Sequence, residues 1–136
     1  KVDDFSPIKV KHNFGSQVYG EKDVNENLKE IPEIQVPERA KNATHVFHQY
    51  TLKVKNGKRD ALQQYLAAKD IPSMIYYPLP LYRQEAFEQY VEEGFSLPVT
   101  EKLCSEVISL PVHTEFNQQV SDYIISEIKN FFKNKK

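Results

Sequence analysis

The side chains that could bind a ligand or move a proton are few in this sequence. Three histidines, several tyrosines, one arginine and the single cysteine are the candidates, and no two of them form a strong motif by spacing. The chain has four glycines, and none lies in a glycine-rich phosphate loop, so any nucleotide must be held by other groups. The candidates are His45, His48, His113, Tyr50, Tyr76, Tyr77, Tyr82, Arg83 and Cys104.

The positions of the histidines and the cysteine argue against two kinds of site. His45 and His48 are three residues apart in a predicted strand, so their side chains point to opposite faces and do not chelate one metal ion. Cys104 falls in a predicted packed helix, and we interpret it as an inert core thiol rather than a nucleophile paired with His113. We therefore predict no metal site and no cysteine catalysis.

The segment YYPLPLYRQ, residues 76–84, is the best candidate for contact with a ligand. Its two prolines prevent regular structure and hold the aromatic side chains in an extended loop. Each of Tyr76, Tyr77 and Tyr82 could alone be a partly buried aromatic residue, but their clustering around the prolines favours ligand contact. Arg83 could pair with a phosphate or a carboxylate, or could be solvated.

Hydrophobic periodicity predicts the elements that position this loop. The order is strand, helix, strand, then helices, a third strand and a closing helix, which is typical of a small α+β domain with helices on one face of a short sheet. The C-terminal helix is capped by Asn117 and carries an apolar stripe of Val120, Ile124, Ile128 and Phe131. We predict strands at 45–54, 73–77 and 108–110, and helices at 21–29, from 61 to the Asp70-Ile71-Pro72 turn, at 84–90, at 98–107 and from 117.

Composition limits the remaining possibilities. At 136 residues and 15.9 kDa, the chain is the size of one domain, and 40% hydrophobic residues are typical of a globular protein. A net charge of −1 without a basic stripe argues against a nucleic-acid partner. The single cysteine favours a reducing cytoplasm, and no apolar run is long enough for membrane insertion.

Three segments taken together resemble one protein family. HVFHQYTLKV (45–54), RDALQQYLAAKDIPSMIYYPLPLYRQEAF (59–87) and LCSEVISLPVHTEFNQQVSDYIISEIKNFF (103–132) are similar to the ends of DegT/DnrJ/EryC1/StrS aminotransferases. That family has a QYT-like strand, a helix, a GIP-like turn, a YYPxPLHxQ-like loop, a SLP-like strand and a last helix. The resemblance covers 25–134 and is specific because all six features occur in order.

The resemblance implies an activity for a larger protein. Such enzymes are fold type I transferases that use pyridoxal phosphate to move an amino group, usually from glutamate, to a keto-sugar on a nucleoside diphosphate. It implies that 25–136 are the C-terminal small domain, with a short antiparallel sheet, and that 1–24 are an irregular arm or linker. The partners implied are the nucleotide sugar, the large N-terminal domain and a second copy in a homodimer.

The resemblance also implies how the roles divide between the domains. The large domain carries the cofactor lysine, so this chain alone is expected to bind no pyridoxal phosphate and to supply no catalytic residue. By motif position, Tyr76, Tyr77, Tyr82 and Gln84 are the expected substrate contacts. Two departures stand out: Tyr82 replaces a common histidine, and 1–20 do not continue the family's long joining helix. A free-standing binding or oligomerisation module is the alternative.

Overall fold

The computed structural model describes residues 21–38, 41–42, 47–112 and 117–134, and its sheet is antiparallel. Strand β1 (Ile34–Gln35) pairs with β2 (Tyr50–Val54), which pairs in turn with β3 (Val107–Leu110). The registers place Val54 opposite Ile34 and Ile108 opposite Leu52. This small three-stranded sheet, together with helices, agrees with the α+β class predicted from the sequence.

The described residues include four α-helices, and local sequence signals explain where two of them begin. Asn117 Oδ1 accepts a hydrogen bond from the Val120 amide at 3.0 Å, which is the predicted cap of the last helix. Pro98 stands in the first turn of the third helix, where a missing N–H costs nothing. No described helix is both long and apolar enough to cross a membrane. The helices are α1 (Glu21–Leu28), α2 (Arg59–Ala67), α3 (Pro98–Glu106) and α4 (Gln118–Lys133).

One hydrophobic core joins the sheet to α1, α2 and α4. Alternate residues of β2 point into it, as the pleat of a strand requires, and the helices contribute residues at three- and four-residue spacing. Val24, which the predicted boundary at residue 25 assigns to the arm, packs against this core. The fully buried side chains are Leu28, Leu52, Val54, Leu62, Leu66, Ile108 and Ile128.

The first predicted strand, 45–54, is shorter in the structure. Residues 50–54 form β2, while the chain bends at His48 and Gln49, and His45 lies outside the described residues. Phe47 and Tyr50 are both buried, with ring centroids 5.4 Å apart. Because a straight strand would place residues three apart on opposite faces, the bend is what allows both rings into the core.

The second predicted strand, 73–77, does not form. Met74 alone makes a bridge with Ser109 of β3, through N–H to O distances of 3.0 and 2.7 Å. The prolines at 72 and 78 lack N–H donors, which limits any ladder between them. The predicted helix at 84–90 is instead a 3-10 helix at Glu85–Tyr90, preceded by another at Leu81–Arg83.

Two other predictions about burial need correction. Val120, placed in the apolar stripe of the last helix, is 37% exposed, and Ile125 is buried instead. The stripe is otherwise confirmed, since Ile124, Ile128 and Phe131 are buried. Cys104 is half-buried rather than enclosed in the core, because α3 contributes no fully buried residue.

Arg59, at the start of α2, ties this helix to the end of α3. Its side chain is buried, and Nη1 donates to the carbonyl oxygens of Cys104 and Val107, both at 3.0 Å. Nε donates to Asp60 Oδ1 at 2.5 Å. Carbonyls at a helix C-terminus have no intrahelical donor, so the guanidinium satisfies two groups that would otherwise lack partners.

A buried carboxylate joins α2 to α4. Tyr65 donates from its hydroxyl to Glu127 Oε2 at 2.8 Å, and Asn130 donates to Oε1 at 3.2 Å. The hydrogen bond from Tyr65 lowers the pKa of Glu127 below its ordinary value of 4.5, while the same bond raises the pKa of Tyr65 above 10.0. Both shifts favour the form in which a phenol donates to a carboxylate.

This junction predicts a pH dependence of folding. Because the pKa of Glu127 is lowered on folding, its contribution to stability is present above pH 4.5 and is lost as the pH falls through the folded-state value. We expect Glu127→Gln to make the loss of stability between neutral and acidic pH shallower than in the parent chain. Urea unfolding at several pH values measures this, with exposed Asp122→Asn on α4 as control. Equal slopes in both variants would contradict the expectation.

A second prediction concerns the turn after α2. Asp70 has φ of 57°, in the left-handed region that favours glycine. We expect Asp70→Gly to raise the free energy of unfolding by about 0.5–1 kcal/mol, since the strain at a non-glycine residue is removed. Ala67→Gly in the last turn of α2 is the matched control and should lower it by about 1 kcal/mol. Thermal unfolding that ranked Asp70→Gly below the parent would disprove this account.

Candidate functional site

Most of the exposed large apolar side chains among the described residues lie in the segment from Met74 to Val99. After the Met74–Ser109 bridge the chain leaves the edge of β3, so Tyr76 and Tyr77 lie beyond the sheet. Tyr76 is 41% and Tyr77 71% exposed, and their rings meet edge to face with centroids 6.1 Å apart. An exposed aromatic pair offers flat apolar surface with hydroxyl groups, which suits a ligand with both a ring and polar substituents.

Tyr82 lies in a different environment from these two tyrosines. Its hydroxyl donates to Glu101 Oε1 in the first turn of α3, and it accepts a hydrogen bond from the Leu97 amide at 3.2 Å. Its ring packs edge to face on Phe95, with centroids 5.1 Å apart. The hydroxyl proton of Tyr82, one of the expected substrate contacts, is therefore used within the protein.

Glu101 is the centre of a small polar cluster. Besides Tyr82, its Oε1 accepts hydrogen bonds from Arg83 Nη2 at 2.8 Å and from Ser96 Oγ at 2.9 Å. The hydrogen bond from Tyr82, followed by that from Ser96 and by the charge of Arg83, lowers the pKa of Glu101. A carboxylate in the first turn of a helix also suits the helix dipole.

Sequence reasoning missed Glu101 and Ser96. The pairing of Tyr82 with Glu101 joins residues 19 apart, and no local periodicity predicts a contact at that separation. One signal was available, because a glutamate soon after Pro98 is typical of the first turn of a helix. That signal indicates a favourable helix start but not the partner of the carboxylate.

A cleft of about 610 Å³ lies beside Tyr82 and is acidic. Its lining includes four glutamates and a single arginine, Arg83, which is already paired with Glu101. The negative charges of these carboxylates repel phosphate, so this cleft is a poor site for a nucleoside diphosphate. Gln84, half-buried between the two 3-10 helices, is next to it in sequence. The lining residues are Tyr82, Arg83, Glu85, Glu88, Val91, Glu92 and Glu93.

A second cleft, of about 500 Å³, lies between the ends of α1 and α4 and contains Lys58, Lys129 and Lys133. Lys58 pairs with Glu33 at 2.8 Å, and Lys129 donates to Asn27 Oδ1 at 2.7 Å. Both helices present their C-termini here, where backbone carbonyls disfavour a phosphate. The lysines therefore serve mainly to join the α1–β1 region to α2 and α4.

Neither cleft fits pyridoxal phosphate. That cofactor needs a lysine for its aldehyde, donors for its phosphate and a carboxylate for its ring nitrogen. The acidic cleft has no lysine in its lining, and the basic one pairs Lys58 and Lys129 with side chains and faces helix C-termini. These two clefts therefore do not match the donors that the cofactor needs.

The remaining sequence candidates are Tyr50 and the three histidines. Tyr50 is a core residue whose hydroxyl donates to Asn25 Oδ1 of α1. His48 is exposed, while His45 and His113 lie outside the described residues. Over the ranges that the structure describes, no group of three or more potential metal ligands comes together. The prediction that the two histidines point to opposite faces is not tested.

Comparison with known proteins gives consistent matches over most of the chain. A stretch of 97 residues is 37% identical to the "Pleiotropic regulatory protein" of Geobacillus stearothermophilus. The match covers 71% of this chain and 26% of that protein. A stretch of 100 residues is 31% identical to the dTDP-3-amino-3,6-dideoxy-alpha-D-galactopyranose transaminase of Aneurinibacillus thermoaerophilus. This match covers 74% of this chain and 26% of the relative. The chain therefore spans about a quarter of the length of these curated relatives.

A solved structure and a family match agree with these relatives. A DegT DnrJ EryC1 StrS aminotransferase from Brucella abortus superposes with a TM-score of 0.71 at 37% identity, over 82% of this chain and 29% of that one. The model of the DegT/DnrJ/EryC1/StrS aminotransferase family matches residues 20–129, which include the sheet, the aromatic loop and most of α4. The resemblance drawn from the sequence is thereby confirmed, and the chain belongs to the DegT/DnrJ/EryC1/StrS aminotransferase family.

Proposed function

We propose that this chain is the C-terminal small domain of a pyridoxal phosphate-dependent aminotransferase acting on nucleotide-linked keto-sugars. The amino donor is glutamate, and the product is an amino sugar for surface polysaccharides or related glycans. The observation that carries the proposal is the exposed Tyr76–Tyr77 pair, which lies on a proline-bounded loop within the family match. A relative named as a dTDP-sugar transaminase supports the nucleotide-sugar substrate class.

The loop is proposed to bind and orient the sugar nucleotide. Tyr76 and Tyr77 offer ring faces to the base or the sugar and hydroxyls to its polar groups, and Gln84 offers an amide. The acidic cleft on the Tyr82 side repels phosphate, which favours placing the diphosphate toward Tyr76 and Tyr77 instead. Tyr82 borders the same loop and fixes its shape from within.

The cofactor is proposed to bind in the large N-terminal domain. When bound, pyridoxal phosphate supplies an electron sink for the transfer of the amino group. Neither of the two clefts fits it, so the tasks proposed for this segment are substrate binding, orientation and exclusion of water. These tasks need a shaped apolar surface rather than an acid, a base or a nucleophile.

The apolar surface around the loop supports a covered position in the complete protein. Met74, Leu81 and Val99 are each more than half exposed in the isolated chain. A contiguous apolar surface usually marks an interface, and the large domain and a second subunit are the proposed partners. If the chain instead works alone as an oligomerisation module, it will self-associate through this surface in sedimentation experiments without any nucleotide sugar.

The product of the native gene tests the proposal. We expect the protein purified from its own host to have about three times the mass of this chain, because the 97 matched residues make up 26% of a relative's length and this chain has 136 residues. We also expect that protein to retain pyridoxal phosphate through dialysis and to aminate a nucleotide keto-sugar with glutamate. A native product of 15.9 kDa without bound cofactor would overturn it.

A further inference from the structure

Tyr82 and Glu101 form a hydrogen-bonded link between the aromatic loop and α3. Tyr82 belongs to the 3-10 helix at Leu81–Arg83, and Glu101 belongs to the first turn of α3. The Leu97 amide, which precedes that helix, donates back to the Tyr82 hydroxyl at 3.2 Å. One phenol thus connects a backbone amide to a carboxylate across the start of α3.

Two further groups strengthen this link. Arg83 Nη2 and Ser96 Oγ donate to the same carboxylate oxygen, at 2.8 and 2.9 Å, so Glu101 collects donors from both segments that it joins. Hydrogen bonds to an ionised acceptor are about twice as strong as neutral ones. The ring of Tyr82 also packs on Phe95, which restricts its rotation.

Besides this link, the loop has the buried Pro80 close to Tyr82. Its two 3-10 helices contribute no buried side chain, and its apolar residues are largely exposed in the isolated chain. The Met74–Ser109 bridge holds the first end of the segment, and the Glu101 cluster holds the part after the prolines. The tyrosines at 76 and 77 lie between these two points.

We propose that Glu101 and Tyr82 are positioning residues, which hold the aromatic loop in the shape that receives the sugar nucleotide, and that Tyr82 does not bind the substrate itself. The inference rests on the proposed function for its substrate. Its structural part, the link between the loop and α3, stands on the hydrogen bonds alone. The hydroxyl of Tyr82 already makes one donated and one accepted hydrogen bond, so it has little capacity left for a ligand.

Hydrogen exchange in this chain tests the link without any substrate. Tyr82→Phe keeps the ring but removes the hydroxyl, so we expect exchange of the Leu97 amide to become about fivefold faster. Tyr90→Phe removes a hydroxyl from an exposed ring in the same segment and should leave Leu97 unchanged. Equal exchange in the parent and in Tyr82→Phe would overturn the link.

Steady-state kinetics of the complete protein test the positioning role. We expect Tyr82→Phe and Glu101→Ala each to raise KM for the nucleotide sugar about fivefold, with the cofactor spectrum unchanged, and the double variant to be no worse than the poorer single one. Glu101→Gln, which keeps an acceptor oxygen, should lie between Glu101→Ala and the parent. Glu106→Ala, on the same helix, is the control.

The outcomes separate the inference from the proposed function. Effects on KM that multiply in the double variant would mean that Tyr82 contacts substrate independently, and an unchanged KM in Glu101→Ala would mean that the link does not position the loop. Either result overturns the inference while amination by the parent protein still supports the proposed function. If the complete parent protein aminates no nucleotide keto-sugar, the proposed function fails, and with it the substrate role of the pair.

Discussion

Arg59→Met is expected to lower the free energy of unfolding of this chain by about 2–4 kcal/mol, because it leaves two backbone carbonyls without their donor. Methionine keeps an apolar stem of similar length but cannot donate to the carbonyl oxygens of Cys104 and Val107. The site is buried, so water does not fully replace the lost hydrogen bonds. Urea unfolding followed by far-UV circular dichroism measures the change.

Two further variants define what the arginine contributes. Arg59→Lys retains the charge but has a single ammonium in place of the planar fork, so we expect a loss between that of Arg59→Met and zero. Lys102→Met removes an exposed cation from α3 and is expected to change the free energy of unfolding by less than about 0.5 kcal/mol. If Arg59→Met changed the free energy of unfolding no more than Lys102→Met does, the attachment of α2 to α3 would not depend on the guanidinium.

Tyr77→Ala in the complete protein is expected to raise KM for the sugar nucleotide about tenfold, since aromatic stacking on a nucleobase is worth about 1–3 kcal/mol. The substitution removes a ring that is 71% exposed and not part of the core, so folding should be little changed. The cofactor spectrum should also be unchanged, because the cofactor is proposed to bind in the large N-terminal domain. Initial rates at varied sugar nucleotide and saturating glutamate measure the effect.

Tyr90→Ala is the matched control for Tyr77→Ala. Its ring is 76% exposed and lies in the same segment, but at the end of the second 3-10 helix rather than in the proline-bounded loop. We expect its KM to equal that of the parent protein. Equal KM values for Tyr77→Ala and the parent would remove Tyr77 from the proposed substrate contacts, and equal increases in both variants would point to a general effect of exposed rings.

Local signals in the sequence were enough to predict most elements. The cap at Asn117, the helical spacing from Ala61 to Leu66 and the short apolar run before Pro111 depend on neighbours in sequence, and the structure has α4, α2 and β3 there. Ile128, predicted in the apolar stripe of the last helix, is fully buried, as is Leu66 of α2. Such elements follow from periodicity because each buries one face on a common core.

The errors arose where contacts distant in sequence decide the outcome. The bend at His48 depends on Phe47 and Tyr50 entering one core. In the segment 73–77, the Met74–Ser109 bridge to β3 forms but no ladder follows between the flanking prolines. The hydrogen bond from Tyr82 to Glu101 also could not be predicted, because no motif connects the two residues, while the contact of Tyr82 with substrate stays a prediction. Residue type indicated that the loop is a candidate site, but only the packed structure separates the exposed tyrosines from the one that is hydrogen-bonded within the protein.

The most direct test of the account is an amination assay that compares two polypeptides. The complete product of the native gene and this 136-residue chain are each given glutamate, pyridoxal phosphate and a nucleotide-linked keto-sugar, and the aminated sugar is measured by mass spectrometry. The account predicts that the complete protein forms the amino sugar and that this chain alone forms none. Amination by the isolated chain, or the absence of amination by a complete protein that binds the cofactor, would contradict it.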